Sequence, residues 1–426
     1  MQCIQRRFKM TQQKRSDTNI SKRFAASSAI VLSFIVGLEI VIMISPFAFF
    51  FYAAFNPFLL ALNQSSMSRW LTAFFLPHMV VPPNEALTVI RILGSVFFVG
   101  GMLIFLVCAG QVYIGKVLKK GVATKGFYTF IRHPQYLGLG LGALGLAIMW
   151  PRFLTLTLFA VMLFLYYLLA KDEERRMTNR FGESYVVYMD RTGMFLPRFI
   201  EKVLTRNSKS QKRLGFGKAI LIFAVLLVVV IGSGFILRTY TIHHLPLVQV
   251  NRVDVIAITK EDLIAVKQLL PSVLEDPAIG SKLQAIENIE GHRVLAYFIP
   301  VDYVMQGMIA NTGGEWKLFE QHKTIGMITE YIFHPFTHLT EGHAHHPGMQ
   351  AHNPNLHNSP AMRRRIIFIE LSSSHGEFTS PFDDFGINIT RTPLFFVDVH
   401  LHTGEILQIR DTPTGSGWGT VPTPIF

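Results

Sequence analysis

The chain has 426 residues, half of them apolar, and a net charge of +12 at pH 7. It is longer than one ordinary domain, and its positive mean hydropathy excludes a simple soluble protein. Residues 1–237 hold 27 Lys and Arg against 9 Asp and Glu, whereas residues 238–426 hold 13 against 19. Because the basic residues fall between apolar runs rather than along one soluble face, the charge argues against nucleic acid as a partner.

The two cysteines exclude a disulfide framework for the second half of the chain. Cys3 lies near the N-terminus and Cys108 lies inside an apolar run. A domain after residue 238 must therefore be stabilised by its hydrophobic core.

Apolar runs predict about five membrane spans. The first, 25–55, follows a basic tail and is too long for a signal-peptide core, so we expect a signal anchor. A second span is predicted at 86–114 and a fifth at 219–237. Between them, 135–170 predicts a short helical hairpin that turns at Trp150-Pro151-Arg152.

Lysine and arginine predict the orientation of these spans. They are concentrated in the N-terminal tail, in the 115–134 loop and in the 171–218 segment, which holds twelve of them. All three segments are then expected in the cytoplasm. An odd number of spans places residues 238–426 on the other side, which is the periplasm if the source is Gram-negative.

A set of polar and aromatic residues flanks the hairpin. Arg132-His133-Pro134-Gln135-Tyr136-Leu137-Gly138 precedes the first arm; Glu173-Glu174 and Phe181-Gly182-x-x-Tyr185-x-x-Tyr188 follow the second. Two passes return the chain to the same membrane face, so we expect these groups to lie side by side. Pro134 suits the first turn of a helix, whose free amides favour an anion. Carboxylates at a helix C-terminus are unfavourable without a cationic or hydroxyl-rich partner.

These residues resemble the signature of membrane-embedded methyltransferases, over about residues 86–200. That group includes isoprenylcysteine carboxyl methyltransferases, phospholipid amine methyltransferases and bacterial thiol methyltransferases. The resemblance implies S-adenosylmethionine as methyl donor and a lipid or small hydrophobic acceptor that approaches from the bilayer. It implies donor contacts at Arg132, His133, Tyr136, Gly138, Glu173, Glu174 and Tyr185, with Arg176 as a catalytic candidate that orients an acidic acceptor.

Gly138 has two interpretations. Gly138-x-x-x-Gly142 is typical of close contact between membrane helices. A glycine-lined face could also leave room for the donor. The overlapping Gly140-x-Gly142-x-x-Gly145 follows no strand, so it is not a dinucleotide-binding loop.

The second half is rich in histidine, with fourteen of the sixteen after residue 240. His343, His345 and His346 lie in a Gly-, Pro- and Asn-rich stretch that is either a tolerated polar loop or a site for zinc, copper or nickel. Alternation from 396 to 402 places Asp398, His400 and His402 on one strand face, which is a second metal-site hypothesis beside that of an ordinary polar face.

Two local patterns predict secondary structure in the same half. Thr403-Gly404 predicts a turn into a partner strand at 405–409, and this hairpin weakly resembles those of small extracytoplasmic PepSY-type modules. The runs 248–258 and 365–371 predict further strands. Thr259 predicts the N-cap of a helix, with Asp262 three residues later.

The predicted architecture is a mainly α-helical polytopic membrane domain with an extracytoplasmic α+β domain. The leading hypothesis is methyl transfer at the cytoplasmic membrane face to a lipid, thiol or carboxylate. The alternative is a metal-binding or sensory membrane protein that acts through the histidine-rich domain, with the helical module as its anchor. The predicted segments are a basic cytoplasmic tail (1–24), an anchor span and outer loop (25–85), a methyltransferase-like membrane core (86–200), a basic cytoplasmic linker (201–216), a final span (217–237) and the histidine-rich α+β domain (238–426).

Overall fold

The computed structural model describes residues 56–78, 82–118, 123–204, 216–287, 289–303, 306–312, 362–373 and 378–413. The predicted anchor span at 25–55 and the histidines His343, His345 and His346 lie outside these ranges. The described residues form two compact units. The first contains 100–140 and 162–204, and the second contains 56–99, 141–161 and the described residues from 216 onward.

Ten α-helices occur in the described part of the chain. Three of them are long and apolar enough to cross a membrane, over Glu85–Val117, Phe153–Phe181 and Ile220–His243. The helices are α1 (Asn56–Gln64), α2 (Arg69–Thr72), α3 (Glu85–Val117), α4 (Pro134–Met149), α5 (Phe153–Phe181), α6 (Glu183–Arg191), α7 (Arg198–Leu204), α8 (Phe216–His243), α9 (Lys260–Leu274) and α10 (Pro277–Glu287).

These helices confirm the predicted helical runs after residue 86. α3 and α8 contain the runs at 86–114 and 219–237, and α4 and α5 are the two arms of the predicted hairpin. α5 continues eleven residues past the predicted end at 170, to Phe181, because charged residues extend the helix beyond its apolar part. The extension carries Glu173 and Glu174 on regular helix, with fixed side-chain directions.

The first unit joins helix ends through a short bridge of backbone. Ile131 and Gly193 form an isolated parallel bridge. Around it, the Arg132 N–H donates to the Gly193 carbonyl at 2.8 Å, and the Gly193 N–H donates to the Phe130 carbonyl at 3.1 Å. The strand-like contact fixes the chain that enters α4 against the loop between α6 and α7.

The second unit contains a six-stranded sheet in the order β1-β2-β3-β4-β5-β6. Every neighbouring pair is antiparallel except β2 and β3, which are parallel because α9 and α10 connect them in a crossover. The strands are β1 (Leu247–Val250), β2 (Val253–Ala257), β3 (His292–Pro300), β4 (Arg363–Ser372), β5 (Thr390–His400) and β6 (Ile406–Asp411).

Two hydrophobic clusters cover the faces of this sheet. Val255, Phe298 and Phe368 belong to a cluster with the apolar side of α9 and α10. On the other face, Ile256 and Ile367 belong to a cluster that includes residues from far earlier in the chain. The early residues of this second cluster are Leu59, Phe74 and Leu154.

The structure confirms three local predictions and corrects one. The hairpin of β5 and β6 is present, β4 covers the predicted strand at 365–371, and Thr259 Oγ1 caps α9 by accepting from the Asp262 N–H at 3.0 Å. The run 248–258 is a tight hairpin of β1 and β2 instead of one strand. Asn251 at the turn has a φ of 57°, a left-handed conformation that asparagine tolerates.

Candidate functional site

The residues that flank the hairpin meet in the first unit. His133 immediately precedes α4, and Glu173 and Glu174 lie in the last turns of α5. The His133 Nδ1 atom is 3.4 Å from Glu173 Oε2, and its Nε2 atom is 3.8 Å from Glu174 Oε1. The predicted proximity of the two groups is therefore confirmed.

His133 is buried between the two carboxylates, with its side chain 3% exposed. Burial alone would lower the pKa of the imidazole, but the interactions with Glu173 and Glu174 outweigh it and raise the pKa above its ordinary value. Nε2 has no hydrogen-bond partner among the described residues. The carboxylate oxygen paired with Nε2 is Glu174 Oε1, at 3.8 Å, beyond hydrogen-bond distance.

Arg132 connects the elements of the site through three hydrogen bonds. Its Nε donates to Glu174 Oε1 at 2.7 Å, and its guanidinium donates to the carbonyl oxygens of Met189 and Thr192, at 3.0 Å for Met189. The side chain is only 11% exposed. Because these three bonds join the ends of α5 and α6, Arg132 stabilises the arrangement of the two helices.

The two neighbouring glutamates face different surroundings. The Glu174 side chain is 9% exposed, bonded to Arg132 and 3.5 Å from the Lys171 ammonium. The Glu173 side chain is 35% exposed. Successive helix residues point about 100° apart, and here that rotation turns Glu174 inward and leaves Glu173 accessible.

Three aromatic rings are stacked beside these carboxylates. The His133 and Tyr136 centroids are 5.5 Å apart at an interplanar angle of 17°, and Tyr136 and Tyr166 are 5.1 Å apart at 18°. Tyr166 was not among the site residues predicted from the sequence. Its position seven residues before Glu173, two helical turns away on one face of α5, is the signal that could have found it.

A second group of tyrosines supports the entry to α4. The Tyr128 hydroxyl is 2.8 Å from Gln135 Oε1, and the Tyr188 hydroxyl donates to the Tyr128 carbonyl at 2.7 Å. Burial raises the pKa of Tyr128 and raises that of Tyr188 to about 12. Both phenols are therefore neutral at physiological pH.

Tyr185, predicted to contact the donor, is buried on α6 with 5% exposure. Its ring lies 5.7 Å from that of Tyr188. Burial raises the pKa of its phenol, and the charges of Glu174 and Glu173 raise it further. Tyr185 therefore lies within electrostatic range of Glu174 and Glu173.

Arg176 and Gly138 lie differently from the core of the site. Arg176 is 61% exposed, and its Nε is 3.1 Å from Asp172 Oδ2. Gly138 packs against α3, where an added Cβ would come within 2.7 Å of the Phe105 amide nitrogen and 2.8 Å of the Gly101 carbonyl oxygen. This contact supports the helix-packing interpretation of Gly138.

The predicted metal residues on β5 are engaged in other contacts. Both Asp398 oxygens accept from Arg365, at 2.7 and 2.9 Å. The His400 Nδ1 atom lies 3.4 Å from the His402 amide nitrogen and 3.3 Å from that of Thr403. β5 ends at His400, so placing His402 on its face was wrong: the chain turns there. Within the described ranges, no three His, Cys, Asp or Glu side chains are grouped to hold a metal ion.

Comparison with known proteins supports the membrane segment. Residues 86–184 match the family model described as phospholipid methyltransferase. The matched stretch contains α3, α4 and α5 with His133, Tyr136 and the two glutamates, and it confirms the family resemblance of this segment. No curated protein matches the chain. No solved structure matches it either.

The chain therefore contains a segment similar to membrane methyltransferases, with apolar helices long enough to cross a bilayer. The segment covers less than a quarter of the chain. The six-stranded sheet lies outside it.

Proposed function

We propose that the protein transfers a methyl group from S-adenosylmethionine to a hydrophobic or membrane-associated acceptor. The observation that carries this proposal is the meeting of His133, Tyr136 and Glu173 within the segment that matches the methyltransferase family. When bound, S-adenosylmethionine would supply a methyl group activated by its sulfonium, for in-line attack by the acceptor's nucleophile with the thioether as leaving group.

The residues present fit such a donor. Glu173 offers an accessible carboxylate, suited to an ammonium or to ribose hydroxyls. His133 Nε2 is buried without a hydrogen-bond partner among the described residues, and we infer that a donor hydroxyl or amino group would bind there. The amides at the start of α4 suit a carboxylate. Arg132 and Glu174 hold these groups in place through their mutual bond.

The chemistry needs little covalent help from the protein. A displacement at a sulfonium is accelerated by alignment of donor and acceptor and by exclusion of water. The rings of His133, Tyr136 and Tyr166 are stacked and buried, and such a surface would exclude water from one side of the donor. Tyr128 and Tyr185, as neutral phenols, add no charge to it.

We propose that the site faces the cytoplasm and that the six-stranded sheet lies on the other side of the membrane, outside the cytoplasm. The charge distribution supports this orientation, since twelve Lys and Arg lie between 171 and 218. S-adenosylmethionine is a cytosolic cofactor, so the same orientation gives the site access to it. The acceptor, a lipid, thiol or carboxylate compound, would enter from the bilayer.

Sealed membrane vesicles from cells that express the protein test activity and orientation together. Inside-out vesicles given methyl-labelled S-adenosylmethionine should accumulate label in organic-extractable material, because a charged donor does not cross the membrane. Right-side-out vesicles should do so only after rupture, and added protease should cleave their protein after α8. The matched control is the same preparation with His133→Ala.

Equal labelling with His133→Ala would contradict the activity. Labelling by intact right-side-out vesicles, or protection of the sheet domain in them, would contradict the orientation.

A further inference from the structure

Glu201 on α7 binds the backbone of the loop that precedes this helix. Its Oε1 atom accepts hydrogen bonds from three consecutive amides, those of Met194 at 2.7 Å, Phe195 at 3.0 Å and Leu196 at 3.3 Å. Hydrogen bonds to an ionised acceptor are stronger than neutral ones. One carboxylate therefore fixes the conformation of the whole 193–196 loop.

Gly193 shows how tightly this loop is folded. A Cβ added there would lie 1.7 Å from the Leu196 carbonyl oxygen and 3.0 Å from the Glu201 carboxyl carbon. No side chain fits in such a space without a change of backbone. The shape of the loop thus depends on Gly193 and on the hydrogen bonds from the three following amides to the Glu201 carboxylate.

The same loop contacts the residues that enter α4. The His133 N–H donates to the Met194 carbonyl at 3.1 Å, and the Arg132 N–H donates to the Gly193 carbonyl at 2.8 Å. The Phe195 ring lies 6.1 Å from the His133 ring, centroid to centroid. Backbone and side chain of His133 are both placed by the loop that Glu201 fixes.

We propose that Glu201 is a positioning residue of the methyl-donor site. It acts through the 193–196 loop, which holds His133 in register with Glu173 and Tyr136. This inference rests on the proposed function, because His133 matters here as a donor contact. Glu201 lies beyond residue 184, where the family match ends, and the sequence signal for it is an acid eight residues after a glycine.

Three full-length variants in detergent test the role. Glu201→Ala removes the acceptor, Glu201→Gln keeps a neutral oxygen at the same place, and Glu183→Ala removes an exposed carboxylate from α6 as a control. Hydrogen exchange of the 193–196 amides, the melting temperature and the dissociation constant for S-adenosylmethionine are measured for each.

Glu201→Ala should expose the three amides to faster exchange and weaken donor binding by about tenfold, since small misplacements of a site are costly. Glu201→Gln should recover most of the affinity, and Glu183→Ala should match the unaltered protein. A purely structural role predicts a lower melting temperature for Glu201→Ala with unchanged affinity, and that result would overturn the inference.

Failure of the proposed function gives a different result. If the unaltered protein binds no donor, the proposed function and this inference are both overturned. If it binds donor and Glu201→Ala binds equally well, only the role of Glu201 is overturned.

Discussion

Glu173 and Glu174 are adjacent in sequence, yet their positions on α5 give them separate tasks. Glu174 is the buried partner of Arg132, whereas Glu173 faces His133 with a third of its side chain exposed. Removal of a buried charge partner leaves an uncompensated guanidinium. Removal of an accessible carboxylate mainly affects what binds there.

We therefore expect two isosteric substitutions to affect different properties, the affinity for the donor in one case and the stability of the fold in the other. Glu173→Gln should weaken S-adenosylmethionine binding by about tenfold, the loss of one charged hydrogen bond, with a melting temperature close to that of the unaltered protein. Glu174→Gln should destabilise the protein by about 1–3 kcal/mol. Calorimetric titration and thermal unfolding of the purified full-length protein measure the two effects.

Thermal destabilisation by Glu173→Gln, with donor affinity unchanged, would refute this division of roles.

The sequence predicted that these residues meet, but it did not predict their individual roles. Helical periodicity and the hairpin brought His133 to the glutamates. Which glutamate turns inward depends on the rotation of α5, and the task of Arg132 depends on the carbonyls of Met189 and Thr192. Those carbonyls are backbone atoms with no sequence signature.

Among the secondary-structure elements, the short 3₁₀ helix Pro381–Phe385 places the carboxylate of Asp384 in the interior of the sheet domain. The side chains of Asp384 and of Asp254 on β2 are both fully buried and share Arg293, at 3.5 Å and 2.9 Å. The Asp384 carbonyl also accepts from Arg391 at 2.7 Å. Two buried carboxylates on one guanidinium favour the retention of a proton.

The pKa values have the corresponding direction. Burial, followed by repulsion from Asp254, raises the pKa of Asp384 to about 8, and burial raises the pKa of Asp254. The folded protein then binds a proton that the unfolded chain releases near pH 4. The stability that this proton provides is present at low pH and is lost as the pH rises toward 8.

Asp384→Asn should remove this dependence, because asparagine is neutral at every pH. We expect its melting temperature to exceed that of the unaltered protein by about 3 °C at pH 9, with a smaller difference at pH 5. Thermal unfolding of the full-length protein at both pH values measures the effect. Asp302→Asn, at an exposed turn, is the control and should keep the original pH slope.

A difference between Asp384→Asn and the unaltered protein that is the same at pH 5 and pH 9 would show that no proton is retained.

Element boundaries followed from the sequence where one periodicity dominated. The apolar runs predicted α3, α4, α5 and α8, and alternation predicted β4 and the β5–β6 hairpin. The division of 248–258 into two strands was missed because Asn251 is followed by Arg252 rather than by the glycine typical of such turns.

For the whole molecule, the second unit has a hydrophobic core that the linear sequence did not suggest. One face of the sheet packs with Leu59, Phe74 and Leu154, which precede the sheet by about a hundred residues or more. Arg238, at the end of α8, donates to the carbonyls of Phe74 and Phe385. The predicted domain boundary at 238 remains a prediction. The hydrophobic core of the second unit contains residues from both sides of that position.

The metal-binding alternative receives no support from the described part of the molecule. Asp398 is held by Arg365, and His400, the last residue of β5, has its Nδ1 atom 3.3 Å from the Thr403 amide nitrogen of the turn that follows. Sequence alternation could not reveal this, since an arginine on the neighbouring strand occupies the polar face. The methyltransferase-like segment is therefore the part of the described chain that indicates a function.

Equilibrium titration of the purified full-length protein with S-adenosylmethionine tests directly whether the site binds a methyl donor. We predict saturable binding of one donor per chain, with a dissociation constant between about 1 μM and 1 mM, and weaker binding by His133→Ala. A folded, monodisperse protein that binds no donor would contradict the proposed methyl transfer.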